Sequence, residues 1–153
     1  MPKLLTCFML TLATAIAGCG PDLIQRTIAK EEQNKRVVVD FYELAVNRKD
    51  AAAAAAHFGP RYVQHNPSVA DGGEGFQAFI EQYRKKFPDA RSEIKRVFAD
   101  GDYVILHVHA VPRPQARGQA IVDIFKLANG KIVEHWDVIQ DVPEKPANPN
   151  GMF

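Results

Sequence analysis

The sequence predicts an α+β domain: helices first, then an antiparallel sheet that curls over them and closes on a pocket. Three observations carry this expectation. Residues 31–47 and 74–87 repeat apolar side chains at helical spacing. Residues 91–141 alternate apolar and polar instead, in four runs parted by short turns. Those runs also set histidines and aspartates among bulky apolar residues on single faces, and small-molecule pockets have that composition.

Bulk composition narrows the possibilities. A chain of 153 residues is one domain by length, and 46% hydrophobic with 24% charged residues is ordinary for a globular protein. The formal net charge is +1, with Lys and Arg scattered rather than striped, so no nucleic acid partner is expected.

The first residues read as an export signal rather than part of the fold. Lys3 gives a positive start, and Leu4 to Ile16 is an uncharged apolar run too short for a permanent membrane span. Ile16-Ala17-Gly18-Cys19 then resembles a lipobox, which implies cleavage after residue 18 and lipidation of Cys19. An ordinary signal peptide cut nearby is the alternative. Residues 1–18 are thus expected to be the signal and 19–30 the lipidated cysteine and tether. The domain is placed at 31–142, with an irregular tail at 143–153. Lipidation implies membrane attachment in the bacterial cell envelope. Gly20 after the cysteine resembles the class sent to the outer membrane, periplasmic side, in a Gram-negative source. Cys7 and Cys19 are the only cysteines, so the exported domain has no disulfide.

Taken in order, residues 20–36 are polar with scattered aliphatics, either an extension of the first helix or a tether. Val37, Val38, Phe41, Leu44 and Ala45 form one helical stripe. Asp50 is a suitable N-cap for Ala51–Ala56, and so thin a helix requires close packing. Arg61 to Asn66 is a short extended run stopped by Pro67. A second stripe carries Phe76, Phe79, Ile80, Tyr83 and Phe87, and Pro88 ends it. Strands follow at 91–99, 103–111, 119–127 and 130–141. Asn129-Gly130 is the strongest hairpin signal in the chain. The short turns imply an antiparallel meander.

Alternation sorts the ionisable residues. Tyr103, Ile105, His107, His109 and Val111 share one face, and Val104, Leu106, Val108 and Ala110 the other, wholly apolar one. Ile121, Asp123, Phe125 and Leu127 share a face, as do Val133, His135, Asp137, Ile139 and Asp141. The mixed faces are expected to line the pocket, with His65 from the early extended run beside them. Asp137 is the most telling residue. Aspartate is depleted from strand interiors, and one between Trp136 and Val138 needs a partner, water or a chemical role. An acid/base group in a pocket and a wet edge strand both satisfy that requirement. The His107-x-His109 spacing is a weak metal signal, and no metal is expected. Ser68 and Ser92 are the only serines, and neither has an elbow-like context for a nucleophile.

Three segments give the chain a family resemblance: VVVDFYELAVNRKD at 37–50; YVQHNP at 62–67 with GEGFQAFIEQYRKKFP after it; and VDIFKLANGKIVEHWDVIQDVP at 122–143. Over about residues 31–142 the chain resembles the SnoaL-like polyketide cyclases, within the nuclear transport factor 2-like superfamily of cone-shaped α+β domains. The resemblance implies a cofactor-free mechanism. An aspartate matching Asp137 moves the proton alpha to a carbonyl in aldol-condensation, cyclase or isomerase chemistry. A carboxylate in an apolar pocket is a stronger base than in water. His65, His107 or His135 would donate to the developing oxyanion or orient Asp137, and Asp123 would fix a histidine tautomer. Homodimerisation through the outer sheet face is common in that family, and Trp136 and Val138 would suit it.

Two readings of function follow. One is an enzyme acting on a small apolar or carbonyl-containing molecule through Asp137. The other is a non-catalytic lipoprotein of the envelope that holds a ligand or partner in the same pocket. A lipid anchor argues against a polyketide as the substrate, since polyketides are made in the cytoplasm.

Overall fold

The computed structural model describes residues 20–153; residues 1–19, with the expected signal peptide and Cys19, lie outside the described residues. Helix α1 runs without a break from Pro21 to Tyr42. Proline suits a first helical position because its missing N–H would be unpaired there anyway. Residues 21–36 are therefore an extension of the first helix. Only the second half of α1 enters the core, through Asn34, Val38, Phe41 and Tyr42. Asn34 donates to the Gly101 carbonyl and Glu31 accepts the Gly101 N–H, which fixes the helix on the turn between two strands. The helix ends in a widened π turn, Glu43–Asn47. Helix α2, Ala51–Ala55, is capped by Asp50, whose carboxylate accepts the Ala53 N–H at 3.0 Å. Ala51 and Ala54 are buried, as so thin a helix requires.

Helix α3, Gly72–Lys86, lies between strand β1, Phe58–Gln64, and strand β2, Arg91–Asp100. Strands β3 (Tyr103–Val111), β4 (Gln119–Ala128) and β5 (Lys131–Asp141) complete one sheet in the order β1-β5-β4-β3-β2. The pairing from β2 to β5 is the expected antiparallel meander. The sheet is nonetheless mixed, because β1 adds parallel to β5. Pro60 lacks a ladder donor and is tolerated there because β1 is an edge strand. Asn129 and Gly130 turn β4 into β5 with φ of 51° and 72°, the two positive values this tight turn demands.

The concave face of the sheet packs on α1 and α3. Phe41 is the hub, with Phe58, Phe76 and Phe125 rings at 5.4–5.6 Å. Two details correct the face assignments. On β3 the wholly apolar face, Val104 to Ala110, is the buried one, so His107 and His109 lie on the convex side. On β5 the register slips: Lys126 pairs with Glu134 but Leu127 with Ile132. The extra residue, Val133, makes a bulge, and Ile132 takes the core position in its place. The tail after Asp141 has no regular structure, and Phe153 packs against the His107 and His109 rings.

Candidate active site

The sheet and helices surround a cavity of about 190 Å³ that opens to solvent. Its walls are mostly apolar, with Phe41, Phe76, Ile80 and Phe125 among them, and its polar groups come chiefly from three adjacent strands. Asp123 on β4 stands directly across from Asp137 on β5, and His135 is one inward step back from Asp137. Two carboxylates opposed across a ladder repel each other when both are charged. The surrounding hydrogen bonds resolve that conflict.

Asn66, just beyond β1, donates its amide to Asp137 Oδ2 at 2.6 Å. Its orientation is set by its own turn, since Asn66 Oδ1 accepts the Ser68 N–H and only Nδ2 can face Asp137. Gln64 is fixed in the same way. Its Oε1 accepts the Asn66 backbone N–H at 2.8 Å, and the same oxygen faces His135 Nδ1 at 2.9 Å. A backbone N–H can only donate, so this oxygen is an acceptor and His135 Nδ1 must carry hydrogen. His135 Nε2 faces Asp123 Oδ1 at 3.1 Å. A second proton therefore lies between Asp123 and His135, on the carboxyl or on the ring. Burial is the main cause holding the Asp123 carboxyl above its ordinary value; the His135 hydrogen bond opposes it and the Asp137 charge adds to it. Burial likewise pushes the Tyr42 and Tyr62 hydroxyls up, so both stay protonated donors. Asp71 anchors the end of β1 by accepting the Gln64 N–H, and that bond is the main cause of its lowered value.

Of the residues expected from sequence, Asp123, His135 and Asp137 come together, each offering an atom within 4.8 Å of the others. The same three atoms are where a cation would sit, although both His135 nitrogens already hold hydrogen-bond partners. His65 and His107 do not belong to the site. His65 stacks on Trp136 at 4.7 Å and meets Glu134 at 2.9 Å on the convex face. It falls there because β1 alternates, and the inward positions are Tyr62, Gln64 and Asn66. His107 faces Arg96 Nη1 at 2.9 Å, also outside, because the concave side of β3 is filled with aliphatic side chains against the core. Gln64, Asn66, Tyr42 and Tyr62 were not anticipated. Neutral amides and phenols do not stand out as ionisable groups, but the alternation Tyr62-x-Gln64-x-Asn66 marks them as one strand face.

The family model described as a SnoaL-like domain matches residues 38–135, which takes in Asp123 and His135 and stops just short of Asp137. No curated protein sequence matches the chain. Among solved structures, TsrD from Streptomyces laurentii is 21% identical over 71% of this chain and 88% of its own, with a TM-score of 0.59. A candidate polyketide cyclase from Bacillus cereus ATCC 10987 is 19% identical, covering 70% and 74% of the two chains at a TM-score of 0.61. A candidate ketosteroid isomerase from Kribbella flavida DSM 17836 is 16% identical, covering 78% and 86% at 0.63. At these identities the solved structures speak for the fold alone. The sequence match runs from the core half of α1 to His135, and on it the chain belongs to the SnoaL-like domain family.

Proposed function

We propose that the protein is a cofactor-free enzyme that moves the proton alpha to a carbonyl in a small molecule, with Asp137 as the base. The observation that carries this reading is the opposed pair Asp123 and Asp137, one holding a proton with His135 and the other held by the Asn66 amide. Carboxyl groups whose surroundings differ in this way divide acid and base roles between them. The Asp137 carboxylate takes the α proton, and the C–H electron pair moves to the carbonyl oxygen. The enolate charge is balanced by the proton that Asp123 and His135 hold within reach of Asp137. The enolate then regains a proton from Asp137 at carbon, as in an isomerase, or attacks a second carbonyl, as in an aldol or cyclase reaction. Lipid on Cys19 would hold this domain at a membrane surface, and among the described residues no helix is long and apolar enough to cross one.

The test needs no knowledge of the natural substrate. In deuterium oxide, the chain should catalyse α-proton exchange in single-ring ketones such as cyclohexanone or acetophenone, followed by proton NMR. Asp137→Asn should lower that exchange on the order of 100-fold or more, the scale of a lost general base. Ketones that bind without any exchange would leave the pocket a binding site and remove the enzyme reading.

A further inference from the structure

Two buried side-chain polar atoms among the described residues have no hydrogen-bond partner: Asp123 Oδ2 and Ser92 Oγ. Both residues line the same cavity, although Ser92 lies on β2 and Asp123 on β4. The Tyr42 hydroxyl, from the end of α1, is the polar neighbour of both; it interacts with each, but in a geometry too loose to satisfy either atom. The Ser92 backbone is locked by Asn47, which accepts its N–H at 2.8 Å and donates to its carbonyl at 3.0 Å, so Oγ is held at the cavity wall. Buried groups of this kind are nearly always satisfied, and a cluster of exceptions facing one cavity marks the place of an absent partner.

We propose that Tyr42, Ser92 and Asp123 Oδ2 form a subsite for a hydroxyl group of the ligand, so that the substrate is a single-ring or short-chain hydroxycarbonyl compound. This rests on the carbonyl reading of the Asp137 site and adds a second anchor to it. The donor pattern selects the group. Ser92 and Tyr42 offer O–H donors, while the free lone pairs of Asp123 Oδ2 call for a donor from the ligand. A hydroxyl does both, accepting from one and donating to the other; an ether only accepts, and a hydrocarbon does neither. Size limits the rest. A closed cavity of about 150 Å³ holds one benzene ring, so the inner space of about 190 Å³ takes one ring and its substituents, and anything larger would extend through the open mouth.

The probes are acetophenone, its 3- and 4-hydroxy derivatives and the matching methoxy ethers, titrated calorimetrically against the full chain in mild detergent. At least one hydroxy isomer should bind about tenfold or more tightly than acetophenone, and its methoxy ether should lose that gain. Tyr42→Phe and Ser92→Ala should each erase most of the preference while still binding acetophenone. Retained acetophenone affinity also shows that the variants fold. Equal binding of all the probes, or a hydroxyl preference that survives both substitutions, overturns the subsite and leaves those atoms to buried water. α-Proton exchange in acetophenone would still stand in that case, so failure of the subsite is distinct from failure of the Asp137 reading. If no ketone binds at all, both fall together.

Discussion

Gln64 offers the sharpest check on the hydrogen-bond argument, because one oxygen decides the state of His135. In Gln64→Leu the Asn66 N–H and His135 Nδ1 lose a shared acceptor held at 2.8 and 2.9 Å. Each bond contributes about 1 kcal/mol net, and the half-buried edge of β1 lets some water replace them. The Gln64 amide also donates to the Tyr62 hydroxyl at 2.8 Å, so three bonds go and the expected loss is about 2–3 kcal/mol in urea denaturation, with the Gln64 N–H to Asp71 bond intact. Imidazole nitrogen NMR gives the decisive readout. Wild type should show hydrogen on Nδ1 of His135, and Gln64→Leu should release that constraint. Gln64→Glu keeps an acceptor oxygen and should restore the wild-type nitrogen pattern. A wild-type His135 with bare Nδ1, or a leucine variant as stable as wild type with an unchanged ring, would refute the reasoning.

Three further outcomes are expected. The Asp123 value is raised in the folded state, so the native chain binds more protons than the unfolded one between the ordinary carboxylate range, near about pH 4, and that raised value. Stability should therefore fall as pH rises through this window, and Asp123→Asn should flatten the fall when denaturation midpoints are compared across it. His65→Ala and His107→Ala should leave ketone exchange within about threefold of wild type, since both rings lie on the convex face; a loss like that of Asp137→Asn would return them to the site. Cys19→Ser should shift the protein from the membrane to the soluble fraction, and unchanged fractionation would remove the lipid anchor.

Much of the fold was legible because it rests on local periodicity. The helical stripes ending at Ala45 and Phe87, the Asp50 cap and the Asn129-Gly130 turn are each decided within a few residues, by spacing, a side-chain acceptor or a positive φ. The place of Asp137 at the cavity was legible for a related reason, since a carboxylate in an apolar strand conflicts with its surroundings unless a partner or a pocket receives it. Alternation also separated the two faces of β3 correctly. It could not say which face turns inward, and the wholly apolar face won because the helices meet it with mostly apolar surface. His107 falls outside on that account, and His65 because Tyr62, Gln64 and Asn66 take the inward face of its own strand.

The sequence by itself determined an α+β domain and the order of its elements, and it offered five ionisable candidates, of which three stand together. Those follow from composition and from repeats of two or three to four residues, which the chain carries wherever it folds. Only tertiary structure decided that Asp123 opposes Asp137, that a bulge at Val133 moves Ile132 into the core, and that Gln64 and Asn66 reach across from a parallel edge strand. Register and proton placement arise from contacts some seventy residues apart in the chain, such as Asn66 with Asp137 and Gln64 with His135. No local pattern encodes which of the many possible pairings satisfies every buried donor and acceptor at once.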